Sequence, residues 1–201
     1  MILKRLFDIV FSVVFILAFT WLYIIISIII LIDDGFPILY LPKRRGKNKK
    51  IFTCFKFRTM SNDNTDKKFI LKTGKILRKS NLDELPQFFN VLIGNMSIVG
   101  PRPHDIGEDD LFSRSIDGYD DRFIFKPGIT GYAAIKGNRG GADLDIIRER
   151  ISFDKYYIKH YSFFFDIQII IITIFLTLSY SNALNIKRPK LIRWLGKYFY
   201  K

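Results

Sequence analysis

From Ile9 to Ile32 the chain carries no charged residue, and Ile, Val, Leu and Phe dominate the stretch. Wound as a helix at 1.5 Å per residue, the run is roughly 36 Å long, enough to cross the hydrocarbon core of a bilayer. A surface helix of a soluble domain needs a polar face, and this run has none. It is too long for the apolar region of a cleaved signal peptide, and no small-x-small cleavage site follows it. Lys4 and Arg5 precede the run. Asp33 and Asp34 follow it, and then comes the basic string Pro42-Lys43-Arg44-Arg45-Gly46-Lys47-Asn48-Lys49-Lys50. Basic flanks stay on the cytoplasmic side. Two topologies satisfy them: a crossing with the short N-terminus outside, or entry and return with both ends inside. Both put the rest of the chain in the cytoplasm.

The charge balance narrows the partners. Lys and Arg outnumber Asp and Glu by 32 to 19, a net charge of +13, in a chain that is 49% hydrophobic. The excess calls for an anionic partner, and the apolar content points to a membrane surface before nucleic acid. The basic residues also cluster at 43–50 and 187–201, next to candidate membrane segments, rather than along one domain face with interleaved aromatics. No nucleic-acid partner is therefore expected. Cys54 is the single cysteine, so no internal disulfide forms. One Cys and two separated His residues cannot build a zinc site, and any metal must sit on oxygen ligands.

Three regions follow: a membrane-embedded helix at 1–35, a cytoplasmic domain at 36–184, and a basic amphipathic helix at 185–201. In the last, Leu191, Ile192, Leu195, Tyr198 and Phe199 share one helical face. Lys190, Arg193, Lys197 and Lys201 lie on another. That is the pattern of a helix lying in the headgroup layer. The apolar run Ile167–Leu178 is too short to span and reads as a core or interfacial helix. Within the domain, Phe36–Leu41 and Ile51–Met60 read as two strands joined by the basic loop. The alternation Phe55-Lys56-Phe57-Arg58 would set the aromatics against the cations. Leu71–Arg78, Pro86–Ile93 and Ile146–Tyr161 read as helices, and 126–141 as turns. The fold class is α+β, mostly helical with a small β-hairpin.

Two places can carry chemistry. In Ser80-Asn81-Leu82-Asp83-Glu84-Leu85-Pro86-Gln87, Ser80 with Asp83 fits a helix N-terminal capping pattern. A carboxylate there is held ionised by the helix dipole. It could attack phosphorus to form an acyl phosphate, while its neighbour could hold Mg²⁺. In Val99-Gly100-Pro101-Arg102-Pro103, two prolines mount a planar guanidinium suited to phosphate. The loops Pro127-Gly128-Ile129-Thr130-Gly131 and Gly137-Asn138-Arg139-Gly140-Gly141 could offer N–H groups to phosphate, though plain turns fit them better. His104 and His160 read as ordinary surface or core residues, Glu108-Asp109-Asp110 as a solvated stretch, and Arg148-Glu149-Arg150 as an exposed helix face.

Taken in order, these strings resemble the bacterial sugar transferase family, the monotopic phosphoglycosyl transferases. The likeness runs from Lys4-Arg5 and Asp8 through Lys56-Phe57-Arg58-Thr59-Met60 and Leu82-Asp83-Glu84-Leu85-Pro86-Gln87. It continues through Gly94-Asn95-Met96-Ser97, the Arg102 and Pro127 strings, and Tyr156-Tyr157 to Asp166. The resemblance implies transfer of a sugar-1-phosphate from a UDP-sugar to undecaprenyl phosphate, opening the synthesis of a surface glycan. Asp83 would be the nucleophile, Glu84 the Mg²⁺ ligand, and Arg102, Arg58, Lys56 and Arg139 the phosphate-binding residues. Membrane lipids are the further partner, and self-association stays open. A non-catalytic scaffold of a polysaccharide assembly complex is the alternative. The resemblance also implies a re-entrant membrane helix, although relatives break theirs at Ser-Pro where this chain has Thr20-Trp21. Ala134-Ile135-Lys136-Gly137 likewise replaces a common Gln-Val-Asn-Gly. The 103–143 region is most similar to undecaprenyl-phosphate hexose phosphotransferases, which favours glucose or galactose as the sugar. Those proteins often carry further membrane helices.

Overall fold

The computed structural model describes residues 1–61, 69–138 and 143–182, with side chains in the last helix described to residue 177. The expected helix at 185–201 lies outside the described residues.

The apolar run becomes α1 (Ile2–Asp34), a 33-residue helix about 50 Å long. Every residue in it is helical, so the break expected of a re-entrant segment is absent at Thr20-Trp21. Thr20 instead donates its hydroxyl to Ile16 C=O at 2.8 Å. One stripe of α1 is buried, from Lys4, Asp8 and Ser12 to Ile26 and Ile30. The opposite stripe, including Val10, Val14, Leu17, Trp21, Ile24, Ile28 and Ile32, is exposed. A helix that is apolar all round thus packs one face on protein and leaves the other unsatisfied by water.

Both ends of α1 are tied to the same domain. At the start, Lys4 Nζ sits 2.7 Å from Asp166 and donates to Val99 C=O at 2.9 Å. Asp8 accepts the Ile98 N–H at 3.0 Å and the Ser97 hydroxyl at 3.1 Å. Arg5 donates to Val91 C=O and Leu92 C=O at 2.6 and 2.7 Å. At the far end Asp34 pairs with Arg58, which also donates to the Asp34 and Gly35 carbonyls at 2.9 and 2.7 Å. Acids at a helix C-terminus oppose the dipole, and the guanidinium cancels that conflict while capping the last carbonyls.

The rest is a set of short helices around three two-stranded pairings. β1 (Leu39–Tyr40) pairs antiparallel with β4 (Lys56–Phe57), and β2 (Lys43–Arg45) with β3 (Ile51–Thr53). The single strand expected over Ile51–Met60 is therefore split at Cys54-Phe55. The buried Asn90 causes the break, accepting the Phe55 N–H at 2.8 Å and donating to Thr53 C=O at 2.7 Å. The basic loop is partly strand β2, and its cations meet acids: Arg44 with Asp105, Arg45 with Asp110 at 2.7 Å, Lys49 with Asp120 at 2.5 Å.

α2 (Lys72–Ser80), α3 (Gln87–Ile93) and α6 (Leu144–Lys159) match three expected helices. α4 (Ile106–Ser115) was not expected, although Asp105 and Glu108 form a capping box at its start. β5 (Ser97–Val99) and β6 (Gly128–Thr130) form a parallel pair, followed by α5 (Tyr132–Ile135) and α7 (Phe163–Asn182). Gly100 and Gly128 permit this pairing, since a Cβ on Gly128 would lie 2.1 Å from Gly100 N. The Pro127–Gly131 string is thus a strand, and Gly128 spends its N–H on Pro101 C=O at 2.9 Å rather than offering it to a phosphate. The main core joins Phe88, Val91, Met96, Ile98, Val99, Tyr157 and Ile169, with Phe11 and Phe15 of α1 packed against it. α7 runs longer than the expected 167–178 segment and packs one face on the core: Ile169 and Ile170 are buried while Ile171 and Ile174 are exposed.

A bilayer cannot pass between two ends of a helix that one polar domain holds. Cysteines introduced at the exposed positions Ile2 (89% exposed) and Phe36 (74% exposed) should therefore react with an impermeant maleimide from the same side of membrane vesicles. Labelling from opposite sides would contradict the arrangement.

Candidate active site

The site forms where α2 ends. Asn81 adopts a left-handed conformation (φ 57°) that closes α2 and turns the chain into a 3₁₀ turn, Leu82–Glu84. Ser80 is therefore the last residue of a helix rather than the cap of the next. It donates to the Ile76 and Leu77 carbonyls at 2.8 and 3.1 Å. α3 starts only at Gln87, so Asp83 and Glu84 precede it by a turn.

Glu84 is buried and clamped by two cations. Lys56 Nζ donates to Oε1 at 2.9 Å. Arg102 forks onto the same carboxylate, Nη2 to Oε1 at 2.6 Å and Nη1 to Oε2 at 3.1 Å. Three of the expected residues thus converge on one group: β4 brings Lys56, the segment after β5 brings Arg102, and the 3₁₀ turn brings Glu84. Asp83 is half-buried beside it.

The two carboxyls are driven apart in acidity. Burial alone would raise Glu84, but the Arg102 charge and hydrogen bonds, with those of Lys56, take it down to about 2. Asp83 makes no comparable pairing. Burial first, and then the Glu84 charge, push it up to about 6 against the pull of Lys56 and Arg78. The dipole-stabilised acid expected at this position is instead a desolvated one, ionised at neutral pH and poorly compensated. Such a pair is the usual mark of divided roles.

Among the described residues no cluster of three His, Cys, Asp or Glu could hold a metal by protein ligands alone. Mg²⁺ needs no such cage, since it binds through one or two carboxylates with water and substrate phosphates. Glu84 accepts two hydrogen bonds on Oε1 and one on Oε2. That leaves an Oε2 lone pair, so Glu84 is the carboxylate of the pair with an oxygen that fits the ion.

Arg58 does not join the site. Its five N–H groups go to Pro37 C=O, Asp34 carboxylate and carbonyl, Gly35 C=O and Met60 C=O. A guanidinium has five donors, so none remains for phosphate, and Arg58 is a clamp on the end of α1. Arg139 lies outside the described residues. Asp109 and Arg150, read as solvated, turn out buried behind Arg102, and Asp154, Arg122 and His104 are buried with them. The Asp105/Glu108 capping signature was the one local signal that could have placed Asp109 on a helix. His160 is exposed and stacks on Tyr156 at 4.1 Å.

An apolar helix held at both ends by one domain, over a carboxylate pair flanked by Lys and Arg, fits a membrane-associated protein whose site suits an anion. The chain belongs to the bacterial sugar transferase family, whose model matches residues 1–180. It is 39% identical over 184 residues to UDP-glucose:undecaprenyl-phosphate glucose-1-phosphate transferase of Escherichia coli K12, covering 87% of this chain and 40% of that protein. It is 38% identical over 181 residues to UDP-N-acetylgalactosamine-undecaprenyl-phosphate N-acetylgalactosaminephosphotransferase of Aeromonas hydrophila, covering 86% and 43%. It is 37% identical over 188 residues to the exopolysaccharide production protein PSS of Rhizobium leguminosarum bv. phaseoli, covering 87% and 94%. The chain thus spans less than half the length of the first two relatives.

The different duties of Arg58 and Lys56 can be separated by stability. Arg58→Ala should cost about 3 kcal/mol by removing the ion pair to Asp34 and the donors to four carbonyls. Lys56→Met should cost about 1 kcal/mol or less, because Arg102 still holds Glu84. Thermal melts in detergent check this, and equal losses would contradict the assignment.

Proposed function

We propose that the chain transfers a sugar-1-phosphate from a UDP-sugar to undecaprenyl phosphate, at the cytoplasmic face of the membrane. The observation that carries this reading is the Asp83–Glu84 pair of unlike acidity, flanked by Lys56 and Arg102, in a member of this family. The names of the Escherichia coli and Aeromonas hydrophila relatives describe the same class of transfer. The one-sided attachment of α1 and the basic residues at both its ends favour the cytoplasmic face.

In this reaction the ionised Asp83 carboxylate attacks the β-phosphorus of the UDP-sugar. A phosphorus–oxygen bond forms to Asp83, the bond to the bridging oxygen breaks, and UMP leaves with the electron pair. An oxygen of the polyprenol phosphate then attacks the same phosphorus, and Asp83 departs as a carboxylate. Its incomplete compensation in the resting site suits a nucleophile. Arg102 and Lys56 stand where charge accumulates on the transferred phosphoryl group. Mg²⁺, when bound, neutralises pyrophosphate charge, and Glu84 would hold it. The sugar is a hexose or N-acetylhexosamine, since relatives at 38–39% identity are named for both.

UMP release from UDP-glucose, UDP-galactose and UDP-N-acetylgalactosamine, with Mg²⁺ and undecaprenyl phosphate, tests the proposal. One donor should give release, and Asp83→Asn should reduce it by about a thousandfold or more. Release by Asp83→Asn at the wild-type rate would remove the covalent route. No release with any donor would move a non-catalytic scaffold ahead.

The pH profile follows from the raised pKa of Asp83. Only the deprotonated form attacks, so kcat/KM should climb with pH through about 6 and level off above it. An acid limb below pH 5 would contradict the Asp83 assignment.

A further inference from the structure

The reaction centre uses the Arg102 side chain, but something must hold the backbone from which that side chain springs. Pro101 and Pro103 have no N–H, so their carbonyls and that of Arg102 do most of the fixing. Gly128 N–H takes the Pro101 carbonyl at 2.9 Å. The Arg102 carbonyl accepts from Arg122 Nη2 at 2.5 Å.

Arg122 comes from a separate 3₁₀ segment, Tyr119–Ile124, and is only 4% exposed. Its fork reaches several groups at once. Nη2 also lies 3.0 Å from Asp154 Oδ2 on α6, and Nη1 donates to the Tyr119 hydroxyl at 2.9 Å. Tyr119 passes its own proton to Asp109 Oδ1 at 2.6 Å. His104 sits between Arg122 and Arg150: its Nδ1 is 2.5 Å from Arg122 Nη1, and its Nε2 faces Arg150 Nη1 at 2.9 Å. Burial first, and then the two guanidinium charges, keep His104 neutral.

Desolvating this many ions costs several kcal/mol each before any pairing is returned. A hydrophobic plug of the same volume would hold α4 against α6 at less cost. What a plug cannot do is donate to the Arg102 carbonyl from a fixed direction. We infer that Arg122 is a positioning residue: by gripping the Arg102 carbonyl between two prolines, it sets where the Arg102 guanidinium meets Glu84 and the substrate phosphate. The inference rests on the reading of Arg102 as a phosphate-handling residue of the proposed transfer.

A double-mutant cycle on the full chain in lipid nanodiscs tests it. UMP release is measured for wild type, Arg122→Lys, Arg102→Ala and the double variant. Lysine keeps a charge near Asp154 but has no planar fork to serve several partners. If Arg122 acts through Arg102, Arg122→Lys should lower kcat/KM about tenfold alone, and by less than about twofold once Arg102 is alanine. The same tenfold loss in both backgrounds would make Arg122 a general folding residue and overturn the inference, leaving the proposed function intact. Should Arg122→Lys fail to fold, Tyr119→Phe removes one partner of the fork and is read in the same cycle. A loss that persists with Arg102 as alanine overturns the inference equally. If wild type releases UMP from no donor, the proposed function fails and the inference falls with it.

Discussion

The structure depends on one constraint: an apolar helix of 33 residues is tied at both ends to the same polar domain. Lys4 with Asp166 holds the first turn, and Arg58 with Asp34 holds the last. Breaking either pair would strand a charge away from water, a larger penalty than the pair's own net worth. The helix is therefore laid along the domain, and the face that carries Leu17, Trp21, Ile24 and Ile28 stays exposed. The charge pattern left a crossing and a return both open, and the structure runs both tethers to the same domain.

The same tethers reach the reaction centre. Tyr23 donates its hydroxyl to Leu85 C=O at 2.8 Å, one residue beyond Glu84. Arg5 caps the carbonyls at the end of α3, and Asp8 grips β5, which leads into Gly100-Pro101-Arg102. Both arms of the site, the turn with the carboxylates and the segment with the arginine, are fastened to the membrane helix. The helix is part of the frame of the site as well as its anchor.

Within that frame, adjacent carboxylates acquire opposite characters from their surroundings. Glu84 receives Lys56 and Arg102 and stays charged at any physiological pH. Asp83 receives burial and the repulsion of Glu84. One of the pair is committed to cations, and the other is left without a comparable partner. Behind them, the Arg122, His104 and Arg150 cluster spends desolvation energy to fix a backbone that two prolines have stripped of donors.

What the sequence by itself determined is whatever depends on near neighbours. The charge-free run, the periodicity behind α2, α3 and α6, the Asp83-Glu84 dipeptide and the proline-bracketed Arg102 were all legible, because helix packing and turn chemistry act over a few residues. The ordered set of strings identified the family for the same reason. Only the tertiary structure decided the long-range pairings. Arg58 and Lys56 sit two residues apart in one strand-like pattern, yet one caps α1 and the other holds Glu84, because β4 ends at Phe57 between them. Asp109 and Arg150 read as solvated charges and are buried. A residue's charge is written in the chain, but its partner lies tens of residues away, and desolvation is settled only when the domain closes around both.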